Sequence, residues 1–318
     1  MSTVELPSGV WPAALTPFDD GLAIDVGAFE QHIGQMAEVR HVSAIVVNGH
    51  AGEATSLSAV EQRELIGRAK GVTGGGTAIV AGVIADSTDG ALTMAVEAAA
   101  AGADGLLLFP PSGFRLGVQQ RPEMAIEFAR AVGDATSLPI CLFQYPVSSG
   151  IGYSSSTLAA ICAEVPTVCA VKESSDYPAD YERNLVALAG VGRPIRVLSS
   201  NNAWLFASLA LGGDGVISGM GSVAAEILAQ IYERVLNNDL DQARDAQRSL
   251  FRLTEALLKP PAIDAHTRMK VILHQVGVFP TALVRGPLLP VVDPRQVSEL
   301  CALVDELDLR TVLTGNGE

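Results

Sequence analysis

The chain has 318 residues, 48% of them apolar, with 31 glycines, few aromatics (5%) and a net charge of −14. That length is ordinary for an α/β barrel folding as one unit, and the apolar share suffices for a large core. The acidic balance argues against a nucleic-acid partner, which needs clustered Lys and Arg, and no uninterrupted run of 18 apolar residues is present to span a membrane.

The N-terminal stretch MSTVELPSGVWPAALTPF lacks a basic segment followed by an apolar one. No signal peptide is expected, and the cytoplasm is the default compartment. Eight short apolar runs then recur along the chain, at 10–18, 42–48, 77–84, 104–110, 139–146, 168–174, 195–200 and 214–219. They are nearly continuous rather than alternating, as in parallel strands covered on both faces. Helix-like segments separate them, such as 58–72 and 91–102. The first of these opens with Ser58 and carries Glu61 three residues on, a capping-box signature.

Eight βα units in about 225 residues, roughly 28 per unit, fit a (β/α)8 TIM barrel. A doubly wound sheet would want a G-x-G-x-x-G loop after an early strand, and the chain has none. Past residue 235 the rhythm stops and three helical stretches follow, near 240–258, 265–277 and 294–309. Residues 1–235 are therefore read as a catalytic barrel, and 236–318 as a C-terminal helical appendage packed on it. The four cysteines (141, 162, 169 and 301) form no C-x-x-C pair and read as buried thiols of a reducing compartment. Among the five histidines no H-x-x-x-H spacing occurs, so no metal site is expected. His266 and His274 read as a polar face of a late helix.

In such a barrel the C-terminal ends of the strands build the active site. Strand two ends in Asn48-Gly49-His50-Ala51-Gly52-Glu53, strand five in Tyr145-Pro146, and strand eight near Ile217-Ser218-Gly219. Strand six carries Lys172 inside the run VCAVKES. The plain structural alternative is a lysine paired with a glutamate such as Glu53 or Glu173. The chemical reading is an amine nucleophile, because desolvation lowers a lysine pKa and frees an amine able to form a Schiff base with a keto group. Tyr145 is then a candidate proton shuttle. The turn bounded by Gly49 and Gly52 is a candidate carboxylate cradle, its N–H groups free to point at an anion. Each has its ordinary counterpart, a strand-end tyrosine with its hydroxyl in water and a glycine-bearing βα turn.

Four ordered segments, NGHAGEATSLSAVEQRELI (48–66), YPVSSGIGYSSSTLAAI (145–161), VCAVKESSD (168–176) and GGDGVISGMGSVAAE (212–226), resemble the hallmark stretches of the dihydrodipicolinate synthase/N-acetylneuraminate lyase family, as does PAALTPFDDGLAID (12–25). The resemblance implies a homotetramer and Schiff-base chemistry on pyruvate or another 2-keto acid, without metal or organic cofactor. It implies Lys172 as the Schiff-base residue and Tyr145 as the proton relay. The 49–52 turn would hold the carboxylate, the Ile217 backbone would line the site, and Glu53 would be structural. The turn departs from the family's usual Gly-Thr/Ser-Thr-Gly-Glu, since His50 and Ala51 replace both hydroxyl residues. His50 is then a candidate to take over part of the relay. No arginine follows Tyr145, and the segment after strand four, FPPSGF, lacks tyrosine, although Arg115 stands nearby. These departures point away from a true dihydrodipicolinate synthase and toward a divergent aldolase or lyase. A sugar-acid dehydratase breaking a C–O bond and a non-catalytic 2-keto-acid-binding protein are the alternatives.

Overall fold

The computed structural model describes residues 5–314. All eight expected strands form: β1 (Gly9–Pro12), β2 (Ala44–Val47), β3 (Ala78–Val83), β4 (Gly105–Leu108), β5 (Ile140–Gln144), β6 (Val168–Glu173), β7 (Arg196–Ser199) and β8 (Gly215–Ser218). Helices follow them in turn: α1 (Val26–Glu38), α2 (Ala59–Thr73), α3 (Thr88–Ala100), α4 (Pro122–Thr136), α5 (Ser155–Glu164), α6 (Pro178–Ala189), α7 (Leu205–Ala210) and α8 (Gly221–Leu236). The strands are all parallel and run in the order β1-β8-β7-β6-β5-β4-β3-β2. β1 closes the ring by pairing with β8, Gly9 opposite Gly215 through Pro12 opposite Ser218. The seam between β1 and β2 is lighter. It is held by Val10 N–H to His41 O (2.9 Å), Ser43 N–H to Val10 O (3.1 Å) and Ala14 N–H to Val46 O (2.9 Å). The result is a TIM barrel.

Two apolar layers follow from the period-2 geometry of the strands. Ala44, Val46, Val80, Leu107 and Cys141 share one core inside the ring. Ile45, Ile79, Leu106, Ile140 and Leu142, the residues between or beside them, pack outward against the helices. Runs buried on both faces read as continuous hydrophobic sequence, which is why no alternation was visible. The strands are shorter than their apolar runs. The first run leaves the sheet early and passes through Pro17, which has no N–H to give to a ladder. The predicted capping box forms: Ser58 Oγ accepts from Glu61 N–H (3.3 Å), and Glu61 accepts from Ser58 N–H (2.8 Å). α2 ends on Gly74 in the left-handed region, φ +56°.

Beyond the ring come α9 (Leu240–Leu258), α10 (Ala265–Gln275), α11 (Pro294–Glu306) and α12 (Leu309–Thr314). Leu250, Leu253, Met269, Ile272 and Leu300 belong to the same apolar core as the barrel interior. The four thiols are free; Cys141, Cys162 and Cys169 are buried and Cys301 is half-buried. Among the described residues no helix is long and apolar enough to cross a membrane.

Candidate active site

Lys172 lies on β6 with Phe143 of β5 and Leu198 of β7 as its neighbours across the sheet. Its Nζ stands 4.1 Å from the centre of the Phe143 ring. Neither glutamate named as a possible partner is available to it. Glu53 is ion-paired with Lys270 and accepts the Arg285 N–H (2.9 Å). Glu173, next in the strand, points to the opposite face. There it accepts from Asn184 Nδ2 (2.9 Å), Ser175 N–H (3.1 Å) and Asn201 Nδ2 (3.3 Å). Among the described residues Lys172 has no carboxylate partner. No anion offsets the loss of water around the ammonium, and burial lowers its pKa from 10.5 to about 8.

The amine opens into a cavity of about 220 Å³ at the C-terminal mouth of the barrel, lined also by Gly49, His50 and Ala51. The turn from Asn48 to Glu53 is firmly placed. Asn48 and Glu53 both adopt left-handed backbone, φ +59° and +54°. Asn48 Nδ2 donates to Gln62 O (2.8 Å), and Thr16 Oγ1 donates to Gly52 O (2.8 Å). A side chain at Gly52 would press on Ala14 O, 3.1 Å from its Cβ. Gly82 on β3 is required more strictly, since a Cβ there would fall 2.2 Å from Asn48 O. Among the described residues no acceptor takes the N–H groups of His50, Ala51 or Gly52. A turn with unclaimed donors beside an amine is suited to hold an anion.

Tyr145 reaches this chamber through His50. Its hydroxyl is 3.3 Å from His50 Nδ1, and its ring stacks on Phe143 at 3.9 Å between centres. Burial pushes the phenol pKa up. The His50 ring leans on Phe109, 4.7 Å between centres, although the residue as a whole is exposed. Partial desolvation at the chamber mouth and the positive charge of Lys172 hold its pKa below the usual 6.5. Of the predicted residues, the cavity wall thus joins Lys172, Gly49, His50 and Ala51, while Tyr145 stands behind His50. Gly52 faces the β1 side. Ile217 lies fully buried one residue back in β8, and Ser218, Gly219 and Met220 form that wall.

The appendage supplies residues that periodicity did not flag. Leu258 from α9 and His266 and Met269 from α10 line the cavity. This corrects the reading of His266 and His274 as one polar face. Eight positions place them about 80° apart around a helix; His266 turns into the cavity, while exposed His274 lies 3.2 Å from Phe279 O. Burial, with the charges of His50, Lys172 and Lys270, lowers the His266 pKa to about 4. Arg115 is exposed on the turn after β4, beside Gly150, and is not on the cavity wall.

A parallel eight-stranded barrel with an unpaired, desolvated lysine at its mouth defines a (β/α)8 protein equipped for amine chemistry. Comparison with known proteins narrows this: the model of the dihydrodipicolinate synthetase family matches residues 6–306, and the chain belongs to that family, one of pyruvate-dependent class I aldolases and lyases. The 4-hydroxy-tetrahydrodipicolinate synthase of Corynebacterium aurimucosum is 32% identical over 311 residues, 95% of this chain and 94% of its own length. That of Hyphomonas neptunium is 30% identical over 258 residues, 80% and 84% of the two chains. Among solved structures, dihydrodipicolinate synthase from Thermotoga maritima superposes with a TM-score of 0.87 at 25% identity, covering 96% of this chain and all (100%) of that one. A monomeric variant of dihydrodipicolinate synthase gives 0.88 at 25%, covering 97% and 99%.

Proposed function

We propose that the protein is a Schiff-base aldolase that forms or cleaves a C–C bond of pyruvate or another 2-keto acid, and that it is not a dihydrodipicolinate synthase proper. The observation that carries this reading is Lys172: half-buried, without a carboxylate partner among the described residues, and lowered to about 8 beside an unclaimed row of N–H groups. A fraction of the amine is then neutral near pH 7 and able to attack a ketone carbon. The keto acid's carboxylate rests on the 49–52 turn, which brings C2 to Nζ. Loss of water from the adduct gives an iminium, and its pull on electrons acidifies C3. His50, in contact with the Tyr145 hydroxyl, carries the proton away from C3 and returns it. Lys172 lies within the matched family region, which supports its role as nucleophile.

Departure from the dihydrodipicolinate synthase reaction is supported by what surrounds Tyr145. Ala51 offers the relay no hydroxyl. No arginine follows the tyrosine, and the serines in that stretch are occupied, Ser148 with Asp176 (2.6 Å) and Ser149 with Pro146 O (2.5 Å). The test is borohydride reduction in the presence of pyruvate, followed by mass analysis of peptides. A gain of the reduced pyruvyl group on Lys172 is expected. An unmodified Lys172 across a panel of 2-keto acids defeats the proposal. Release of an aldehyde from a 4-hydroxy-2-keto acid distinguishes C–C cleavage from simple loss of water.

A further inference from the structure

We propose that the second substrate is an uncharged aldehyde with an aromatic or branched aliphatic body, seated against Leu107, Phe109, Leu258 and Met269. This rests on the reading of Lys172 as the Schiff-base residue. The argument concerns which charges the chamber has left once the keto acid is bound. Among its described lining residues only Lys172, His50 and His266 can carry charge, and none is an Asp or Glu. Lys172 is used by the first substrate. Both imidazoles are neutral near pH 7, being held below 6.5 by burial and by neighbouring positive charge. No cation remains for a second carboxylate, and no anion for an ammonium group.

The cations just outside the wall are engaged elsewhere. Lys270 pairs with Glu53, Lys259 with Glu299 (2.7 Å), and Arg268 donates to the carbonyls of Leu257 (2.8 Å) and Lys259 (2.6 Å). Part of the polar wall is spent: Ser218 Oγ donates to Asn202 Oδ1 (2.8 Å) and accepts the Met220 N–H (3.0 Å), which leaves Ser200 Oγ and Asn202 Nδ2 as neutral polar groups beside it. Leu107, Phe109, Phe143, Leu258 and Met269 make much of the remaining wall apolar. Leu258 lines the chamber and is 41% exposed as a residue, apolar area that an apolar ligand can cover. A carboxylate placed there would lose its water without gaining a partner.

The step balances without a co-reactant. C3 of the enamine attacks the aldehyde carbon, a C–C bond forms, and the carbonyl π pair moves to oxygen. The proton that C3 lost returns to that oxygen. Water then hydrolyses the iminium, freeing a 4-hydroxy-2-keto acid and the Lys172 amine.

The test measures condensation of pyruvate with benzaldehyde, 3-methylbutanal and the carboxylate-bearing 4-oxobutanoate, beside borohydride trapping of Lys172. The expected result is a kcat/KM for an uncharged aldehyde about a hundredfold above that for 4-oxobutanoate. In Leu258→Arg the ratio falls by about tenfold, because a cation now meets the carboxylate. Equal or better use of 4-oxobutanoate with trapping intact overturns this inference alone, as does trapping without turnover of any aldehyde. Absence of trapping overturns the aldolase reading itself.

Discussion

Replacing Lys172 by methionine should make the protein more stable at pH 7 while abolishing its chemistry. The folded amine has a pKa near 8 against 10.5 for an exposed lysine. At about 1.4 kcal/mol per tenfold in proton affinity, that difference makes burying the ammonium cost roughly 3 kcal/mol. Methionine has similar length and no charge to desolvate, and it forfeits the ammonium's contact with the Phe143 ring, worth up to about 2 kcal/mol. The net gain is about 1–3 kcal/mol. Its pH dependence is the sharper signature. Below pH 8 both folded and unfolded chains hold the proton, and the penalty is constant. Between 8 and 10.5 the unfolded chain keeps a proton that the folded chain has released, so wild-type stability rises with pH through that window. The mutant's advantage should thus shrink by most of its size between pH 7 and pH 10. Urea unfolding of both proteins at the two pH values, followed by circular dichroism, measures this. A mutant less stable than wild type at pH 7 would mean that Lys172 is a paired structural charge, and an advantage identical at both pH values would refute the desolvation argument.

The rate of pyruvate imine trapping should rise with pH and level off above about 8, as the Lys172 amine loses its proton; a flat profile from pH 6 to 9 contradicts this. His50→Ala should lower kcat by about 10²–10⁴ while borohydride still traps pyruvate; unchanged kcat would remove His50 from the relay. Glu53→Gln leaves Lys270, whose side chain is fully buried (0% exposed), without its partner. A loss of about 3–5 kcal/mol is expected in denaturant melts, much of it recovered in Glu53→Gln/Lys270→Met. Gly82→Ala drives a methyl into Asn48 O and should cost about 1–3 kcal/mol; a melt equal to wild type would show that the turn yields easily.

The barrel was legible because eight doubly buried strands leave eight nearly continuous apolar runs, a signal carried by each strand's own residues. Lys172 was legible for the opposite reason, as a charge breaking one of those runs. Its partnership was not. The sequence offered Glu53 and Glu173 alike as possible partners, and only the fold shows Glu53 turned to Lys270 and Glu173 on the outer face. Gly82 carried a readable signal, a glycine inside an apolar strand, whose usual cause is close approach of another backbone. His266, Met269 and Leu258 carried none. They lie past the last βα unit, on helices whose amphipathic pattern says only that they dock. Which side chains look into the chamber is fixed by how α9 and α10 cross the barrel mouth.

Met269 and Lys270 are adjacent on α10, yet one borders the chamber at the barrel mouth while the other clamps the glutamate ending the 48–53 turn. The chamber is therefore encoded twice, in stretches of the gene more than 200 residues apart. Drift in α10 can alter what the chamber admits without touching the lysine or the strands. A hybrid joining this barrel to a relative's last helices should inherit the chemistry of the first parent and the substrate range of the second, provided residue 270 still meets residue 53.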